Sequence, residues 1–495
     1  MKVLFLNPPF KGKHGRYSRS SRSPAITKSG TLYYPIWLCY AAAAVRGDGF
    51  EIDVVDSCAY ELNLEQTLAR VKDFDPSLVI IDTSTPSIYE DANTAGLIKK
   101  TKPDSIVVLM GTHPTALPEE TLLINTLVDA VIVGEADFVA RDLARVCSDS
   151  QIERICREPE YRREKLLSVP GLVFSCDGKI EKSPPAELIS NLDDIPFVSP
   201  IYKEFLDPRR YFFAASDYPL VHIMGSRGCV ARCTFCVYPQ VMHGGKYRTR
   251  SPENIADEVQ WICENLPQVR EIGFEDDTFA GNQKNVIAFS KLLVQRGLKI
   301  KWYCNTRADL QYETMEWMKR SGCQLLIVGY ESASRKVLQN IRKRMTPEKM
   351  LEFSRNARRA GLLVHGCFMV GNCGDTRETI EETLRFSLGL RDDTVQFFPL
   401  ITYPGTAAYK WAQENNLLAV SDYDEYLTGE GMHNSVVSMP DMSTDQLRCW
   451  CDEARKKYYL RPSYISYKFF SLIKNPTETR RTVKTFIKFA KHLLG

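Results

Sequence analysis

Short apolar runs alternate with amphipathic segments along the first 147 residues, in the rhythm strand, helix, strand. The apolar runs fall at 3–6, 50–55, 78–82, 106–110 and 130–133, and helical spacing recurs at 36–45, 64–71, 91–99, 118–123 and 138–146. That order predicts a doubly wound, largely parallel sheet. Ligands of such sheets lie across the carboxyl ends of the strands. Those ends carry Asn7, Pro8 and Pro9, then Asp56, then Thr83, Ser84 and Thr85, then Gly111, Thr112, His113, Pro114 and Thr115, and finally Gly134 and Glu135. Small, polar and proline residues gathered there suit a flat ligand. No G-x-G-x-x-G follows the first run, which argues against a dinucleotide.

The stretch 148–200 is charged and then punctuated by prolines, with a short hairpin at 169–174 and 177–180. A second alternation follows, with apolar runs at 220–224, 271–274, 300–304, 324–328, 362–369 and 395–400. Ser251 and Pro252 mark a helix start, serine as N-cap and proline at the first helical position. Six strand–helix units predict an open barrel whose chemistry sits at the carboxyl ends of its strands. The expected class is α/β throughout, divided at 1–150, 151–204, 205–430 and a helical region at 431–495.

A chain of 495 residues exceeds one ordinary core. Its net charge of +3 is too small to make nucleic acid a general partner. Fifteen cysteines without a disulfide-scaffold pattern point to a reducing cytoplasm. The chain opens on a strand pattern, not a signal peptide, and its longest apolar stretch, 36–45, is too short to span a bilayer.

The stretch Gly228-Cys229-Val230-Ala231-Arg232-Cys233-Thr234-Phe235-Cys236 follows the first run of the second half. Three thiolates on one loop can bind three corners of a [4Fe–4S] cube, leaving one iron open for chemistry. A zinc site or three buried thiols are the plainer readings, although no second C-x2-C arm is visible. The C-x3-C-x2-C spacing resembles the signature of the radical S-adenosylmethionine (SAM) enzymes, in which the open iron chelates SAM. Phe235 matches the aromatic that this family carries beside the adenine.

Later strand ends resemble the same family in order. They are Phe274-Glu275-Asp276-Asp277, Asn305-Thr306-Arg307-Ala308-Asp309, Val328-Gly329-Tyr330-Glu331-Ser332, Gly371-Asn372-Cys373-Gly374-Asp375-Thr376 and Tyr403-Pro404-Gly405-Thr406. The fifth departs from the family's commoner G-x-P-G-E-T. The resemblance implies a partial (β/α)6 TIM-type barrel with Cys229, Cys233 and Cys236 on the cluster. It further implies SAM contacts from Phe235, Asp276, Asp277, Arg307, Gly329, Glu331, Ser332 and Gly371.

The first half resembles the flavodoxin-like cobalamin-binding domain that precedes many of these barrels. Gly111-Thr112-His113-Pro114-Thr115 is close to its GG-x-H-P-T-like turn and Gly134-Glu135-Ala136-Asp137 to its G-E-G-E-like turn; Leu192-Asp193-Asp194-Ile195-Pro196 resembles its L-D-x-I-P joint. The implied cobalamin contacts are Asn7, Pro8, Pro9, Thr83, Ser84, Thr85, Gly111, Thr112, His113, Pro114, Gly134 and Glu135. The D-x-H-x-x-G motif is absent, so no histidine of this chain is expected below the cobalt. His113 reads as a hydrogen-bonding turn residue, with cobalt ligation as the alternative.

The implied reaction is reductive cleavage of SAM to a 5′-deoxyadenosyl radical, then methylation of an unactivated carbon or phosphorus centre in a small-molecule or lipid substrate. An electron donor such as flavodoxin or ferredoxin is implied with it. Ring contraction or cyclisation of a hopanoid- or porphyrin-type substrate is the alternative, and a non-catalytic iron–sulfur or corrinoid carrier a further one.

Two segments keep two readings each. The loop 11–31, with Lys11, Lys13, Arg16, Arg19, Arg22 and Lys28, is either solvated or a lid over an anionic substrate or cofactor phosphate. Near the C-terminus, Arg480, Arg481, Lys484, Lys488 and Lys491 flank Val483, Phe486, Ile487, Ala490 and Leu494 at helical spacing. That end either packs on the barrel or makes peripheral contact with an anionic membrane surface. Tyr33 to Leu38 read as core, and Cys449 and Cys451 as buried thiols.

Overall fold

The computed structural model describes residues 1–10, 16–27, 29–148 and 151–474. Lys11, Lys13, Lys28 and the basic run from Arg480 to Lys491 lie outside the described residues.

The first alternation forms a sheet from β1 (Lys2–Asn7), β2 (Glu51–Asp56), β3 (Leu78–Thr83), β4 (Ile106–Gly111) and β5 (Ala130–Ile132), parallel throughout and ordered β2-β1-β3-β4-β5. That is the doubly wound flavodoxin-like order. Every residue of β3 and β4 is buried, as expected where helices cover both faces. The hairpin β6 (Leu172–Cys176) and β7 (Lys179–Lys182) does not stand apart as a linker feature. It continues the sheet antiparallel beside β5, covering an edge that would otherwise be open.

The second alternation begins with β8 (Leu220–Ile223). A short antiparallel ribbon, β9 (Ser226–Arg227) with β10 (Arg248–Thr249), then brackets the cysteine loop. The chain continues through β11 (Glu271–Phe274), β12 (Lys301–Thr306), β13 (Cys323–Glu331), β14 (Leu363–Val370) and β15 (Thr394–Pro399). With β8 these form six parallel strands in sequential order, an open barrel. Ser251 caps the helix Pro252–Asn265 as its sequence signalled, accepting from the Asn254 amide at 3.1 Å.

One helix joins the two halves. Ile36–Gly47 is apolar on all sides, and residues 36–45 are all buried. A helix without a polar face belongs between two layers. Tyr40 Oη accepts from the Met224 amide at 2.9 Å, and Tyr34 Oη donates to the Leu220 carbonyl at 3.1 Å. A single apolar cluster therefore runs from the first sheet through this helix into the barrel.

After β15 the chain wraps back across the first sheet and then forms the helices Thr444–Tyr459 and Pro462–Lys474. The first of these covers the open barrel edge: Tyr459 Oη pairs with both the amide and the carbonyl of Val395, at 2.9 and 2.6 Å. Cys451 is buried but Cys449 is exposed, because it sits on the outer face of that helix. Among the described residues, no helix is long and apolar enough to cross a membrane.

Candidate functional site

The strand ends of both sheets face one another across the domain interface, and the cysteine loop hangs between them. Gly228 starts that loop at φ +78°, and a Cβ there would stand 1.9 Å from the Lys246 carbonyl oxygen, so only glycine passes. Its amide donates to Asp277 Oδ2 at 2.9 Å. Farther along, the Thr234 amide donates to the Ile341 carbonyl at 3.0 Å. Gln240 staples the loop from behind: its Nε2 lies 3.1, 3.0 and 2.9 Å from the carbonyls of Cys233, Thr234 and Cys236.

Burial raises all three thiols above their usual range, Cys236 furthest, and Asp277 adds to the rise at Cys229 and Cys236. Arg307 opposes it at Cys229, Arg307 and Lys343 at Cys233, and Arg22 at Cys236. Among the described residues no three His, Cys, Asp or Glu side chains are already gathered as a metal site. The donor set nevertheless fits an iron–sulfur cluster: three thiols on one anchored loop, ringed by cations that favour thiolate.

Around the loop, Asp276 is buried and accepts from the Gly225 amide at 3.1 Å; burial raises its carboxyl to about 7. Arg307 donates to Asp309 Oδ2 at 2.9 Å and to the Lys343 carbonyl at 3.3 Å. Glu331 sits at φ +68° and receives Lys343 Nζ at 2.8 Å. A Cβ on Gly329 would meet both that carboxylate and that amine, at 2.3 and 2.9 Å, so glycine is what lets the pair form. Ser332 Oγ accepts from the Ser334 amide at 3.1 Å. Gly371 turns at φ +89°, and Phe235 packs half-buried against the core.

At the first sheet, Gly111 lies at φ +126° and a Cβ would fall 2.1 Å from the Thr83 carbonyl oxygen. Asn7 donates to Asp56 Oδ1 at 2.7 Å, and Thr83 donates to Asp91 Oδ2 at 2.7 Å. Ser84 Oγ and Tyr17 Oη are 2.9 Å apart. His113 is fully buried; its Nδ1 lies 3.4 Å from Thr85 Oγ1 and its Nε2 has no partner. Burial lowers its pKa to about 3, so the ring is neutral. Thr112 and Pro114 lie in the short helix Thr112–Ala116, and the Gly134 amide donates to Thr115 Oγ1 at 3.1 Å. An unpartnered imidazole nitrogen, backbone turns open only to glycine and small hydroxyls fit the edge of a flat cofactor carrying amides.

Glu135, at the end of the same sheet, is held by residues of the barrel half. Arg248 donates to its two oxygens at 2.6 and 2.9 Å, and His243 Nδ1 lies 2.9 Å away. Burial opposes ionisation, yet the hydrogen bonds of Arg248 and His243 hold its carboxyl well below the usual range. His243 Nε2 in turn faces Asp277 Oδ2 at 3.6 Å. A polar chain thus links the end of β5 to the amide that opens the cysteine loop.

The loop 11–31 is not solvated where it is described. Arg19 is buried, pairs with Asp91 at 2.6 Å, and donates to the Pro8 carbonyl at 2.7 Å. Arg22 reaches the barrel and donates to the Glu275 carbonyl at 3.1 Å and to that of Asp276. Lys343, Gln240 and His243 escaped the sequence reading, and Arg19 figured there only as one cation of the loop. Arg19 and His243 meet partners 72 and 108 residues away, while Lys343 and Gln240 bond to residues 12 and 4 to 7 positions off across irregular turns, and no spacing signals either. The sole trace was the density of arginines in a loop joining a first strand to a first helix.

Family models for the B12 binding domain and the radical SAM superfamily match residues 22–144 and 223–387. An uncharacterized methyltransferase of Pyrococcus horikoshii is 30% identical over 466 residues, 94% of each chain. An anaerobic magnesium-protoporphyrin IX monomethyl ester cyclase of Rubrivivax gelatinosus is 23% identical over 95% of this chain and 79% of its own. Among solved structures, the cobalamin-dependent SAM radical enzyme OxsB, with aqua-cobalamin and SAM bound, superposes with a TM-score of 0.68 at 15% identity, over 98% of this chain and 72% of that one. The chain belongs to the cobalamin-dependent radical SAM enzymes, whose cofactors are a [4Fe–4S] cluster, SAM and cobalamin.

Proposed function

We propose that this chain methylates an unactivated carbon or phosphorus centre of a small-molecule or lipid substrate. The reading rests on one observation above the others. Arg227, which immediately precedes the cysteine loop, is paired with Asp137 at the strand-end turn of the B12-matching half, so both sites border one closed interface. When bound, the cluster with SAM supplies a 5′-deoxyadenosyl radical, and cobalamin carries a methyl group.

In this reading Cys229, Cys233 and Cys236 hold the cluster. Phe235, Gly329, Ser332 and Gly371 shape the SAM site, and Asp276, Asp277, Arg307 and Glu331 orient its polar groups, with Lys343 holding Glu331 in place. Asn7, Pro8, Pro9, Thr83, Ser84, Thr85, Gly111, Thr112, His113, Pro114 and Gly134 border the corrinoid. Glu135 serves the site at one remove, through His243. Burial of the loop and of the two sheet edges excludes water from the reacting groups. The working divisions are 1–150, 151–204, 205–430 and 431–495. A flavodoxin- or ferredoxin-type protein in a reducing cytoplasm provides the electron. Contact of the C-terminal end with a membrane surface is supported by Ile465, Phe469 and Phe470, which are 51, 60 and 62% exposed on the last described helix.

The experiment is anaerobic: protein loaded with iron, sulfide and cobalamin, then reduced and supplied with SAM. Release of 5′-deoxyadenosine is expected, with label from the SAM methyl group appearing on the bound corrinoid. No 5′-deoxyadenosine from a chain with an intact cluster overturns the enzyme reading. Release without methyl transfer favours cyclisation, the activity named for the Rubrivivax relative.

A further inference from the structure

The segment that follows β15 carries a cluster of aromatic and hydroxyl groups unused by the cysteine loop or the barrel. Gly405 presses it onto both halves of the molecule: a Cβ there would meet Val241 at 2.9 Å and Ala116 at 3.1 Å. Beyond it, Tyr423 donates to Glu120 Oε1 at 2.7 Å, and its ring meets His113 edge-on, 4.7 Å between centroids. Tyr426 stands between Tyr403 and Tyr423, at 5.9 and 6.1 Å. The Ile26 amide donates to the Gly431 carbonyl at 2.8 Å, and His433 Nε2 donates to the Ser23 carbonyl at 3.0 Å. The segment is thereby tied to the loop that lies over the first sheet's strand ends.

Tyr426 is 2% exposed, and its hydroxyl has no hydrogen-bond partner. His113, on the other side of Tyr423, is fully buried with Nε2 equally unpartnered. Thr402, at the start of the segment, repeats the pattern with its Oγ1. A buried polar atom left unpaired costs free energy, and native folds seldom keep one without a use. Two such atoms on either side of one ring, where two chain segments meet the ends of β3 and β4, mark a place that expects a polar ligand.

The geometry points to the segment 401–433 as a wall of the corrinoid pocket, with the Tyr426 hydroxyl hydrogen-bonded to an amide side chain at the corrin rim. This rests on the cobalamin reading and extends it to residues outside both family-matched stretches. A corrin is a flat macrocycle fringed by amides, which both donate and accept. A phenol held rigidly among other rings is a pre-ordered partner for such a group. The same hydroxyl is a burden when the pocket is empty.

Tyr426→Phe removes that one oxygen and keeps the ring. Hydroxocobalamin is titrated into the full-length, cluster-loaded protein, and thermal unfolding is followed with and without it. The variant is expected to bind cobalamin about tenfold or more weakly. Without cobalamin it unfolds no earlier than the parent chain, so the stabilisation that cobalamin confers shrinks. Iron and sulfide per chain stay unchanged, which verifies the fold. Parent-like affinity in the variant overturns the inference while leaving the cobalamin reading intact. Failure of the parent chain to bind cobalamin overturns both.

Discussion

Arg227 and Asp137 form a two-pronged ion pair, both nitrogen–oxygen distances 2.7 Å, with the two side chains only 2 and 4% exposed. The arginine leads into the cysteine loop and the aspartate lies in the first turn of the helix Ala136–Val146 that follows β5, so the pair fixes the barrel against the first sheet. Trp37 and Tyr40 of the bridging helix lie under the buried guanidinium at 5.4 and 5.5 Å, adding cation–π attraction.

Breaking one half of this pair is therefore costlier than removing both. Asp137→Asn leaves a buried guanidinium with Glu135 as its nearest carboxylate, at 3.7 Å. A loss of about 3 kcal/mol in unfolding free energy is expected. The double variant Arg227→Met with Asp137→Leu recovers most of it while loosening the two halves. Denaturant titration of the three proteins measures the difference.

Gln240 makes a narrower prediction. One side-chain amide is shared by the carbonyls of Cys233, Thr234 and Cys236, while its Oε1 accepts from the Ala407 amide at 3.0 Å. Gln240→Ala frees the loop without touching a thiol. Iron and sulfide per chain fall several-fold after anaerobic reconstitution, and corrinoid content is unchanged. Gln240→Glu cannot donate and behaves like the alanine variant.

The two sheets were legible because strands buried on both faces write themselves as unbroken apolar runs, as in β3 and β4, and the turns between them are marked by glycine and proline. The helix Ile36–Gly47 was legible as core for the same reason. What the sequence concealed were pairings across long separations. Arg19 reads as one more cation in a serine-rich loop, since Asp91 lies 72 residues on. Nor does the sequence show what holds Glu135, since Arg248 and His243 arrive from the barrel more than 100 residues later. Periodicity reports which face is buried, not which charge meets which.

Gly111 tests how much the cofactor edge depends on backbone shape. At φ +126° with the Thr83 carbonyl oxygen 2.1 Å from any Cβ, alanine forces β3 and β4 apart at their carboxyl ends. Gly111→Ala is expected to lose about 3 kcal/mol or more of stability. Gly134 is the control: it has positive φ as well, but open space around its missing Cβ, so Gly134→Ala costs only the conformational strain of about 1 kcal/mol. Corrinoid retention falls in the first variant and survives in the second.

His222 gives a dependence on pH whose sign follows from burial. It lies inside the barrel with Nε2 2.8 Å from Tyr303 Oη, Glu275 at 3.9 Å, and Tyr33 and Tyr34 as ring neighbours. Burial lowers its pKa to about 4 from the ordinary 6.5, although Glu275 pulls the other way. Between those values the unfolded chain binds a proton that the folded chain refuses. The stability this neutral imidazole allows is therefore intact above pH 6.5 and is lost as pH falls toward 4. At pH 5 the loss amounts to about 2 kcal/mol. His222→Gln keeps a partner for Tyr303 and cannot titrate. Between pH 7.5 and 5 the parent chain should lose about 2 kcal/mol more than this variant in paired denaturant titrations; parallel pH profiles would show that His222 is charged in the fold.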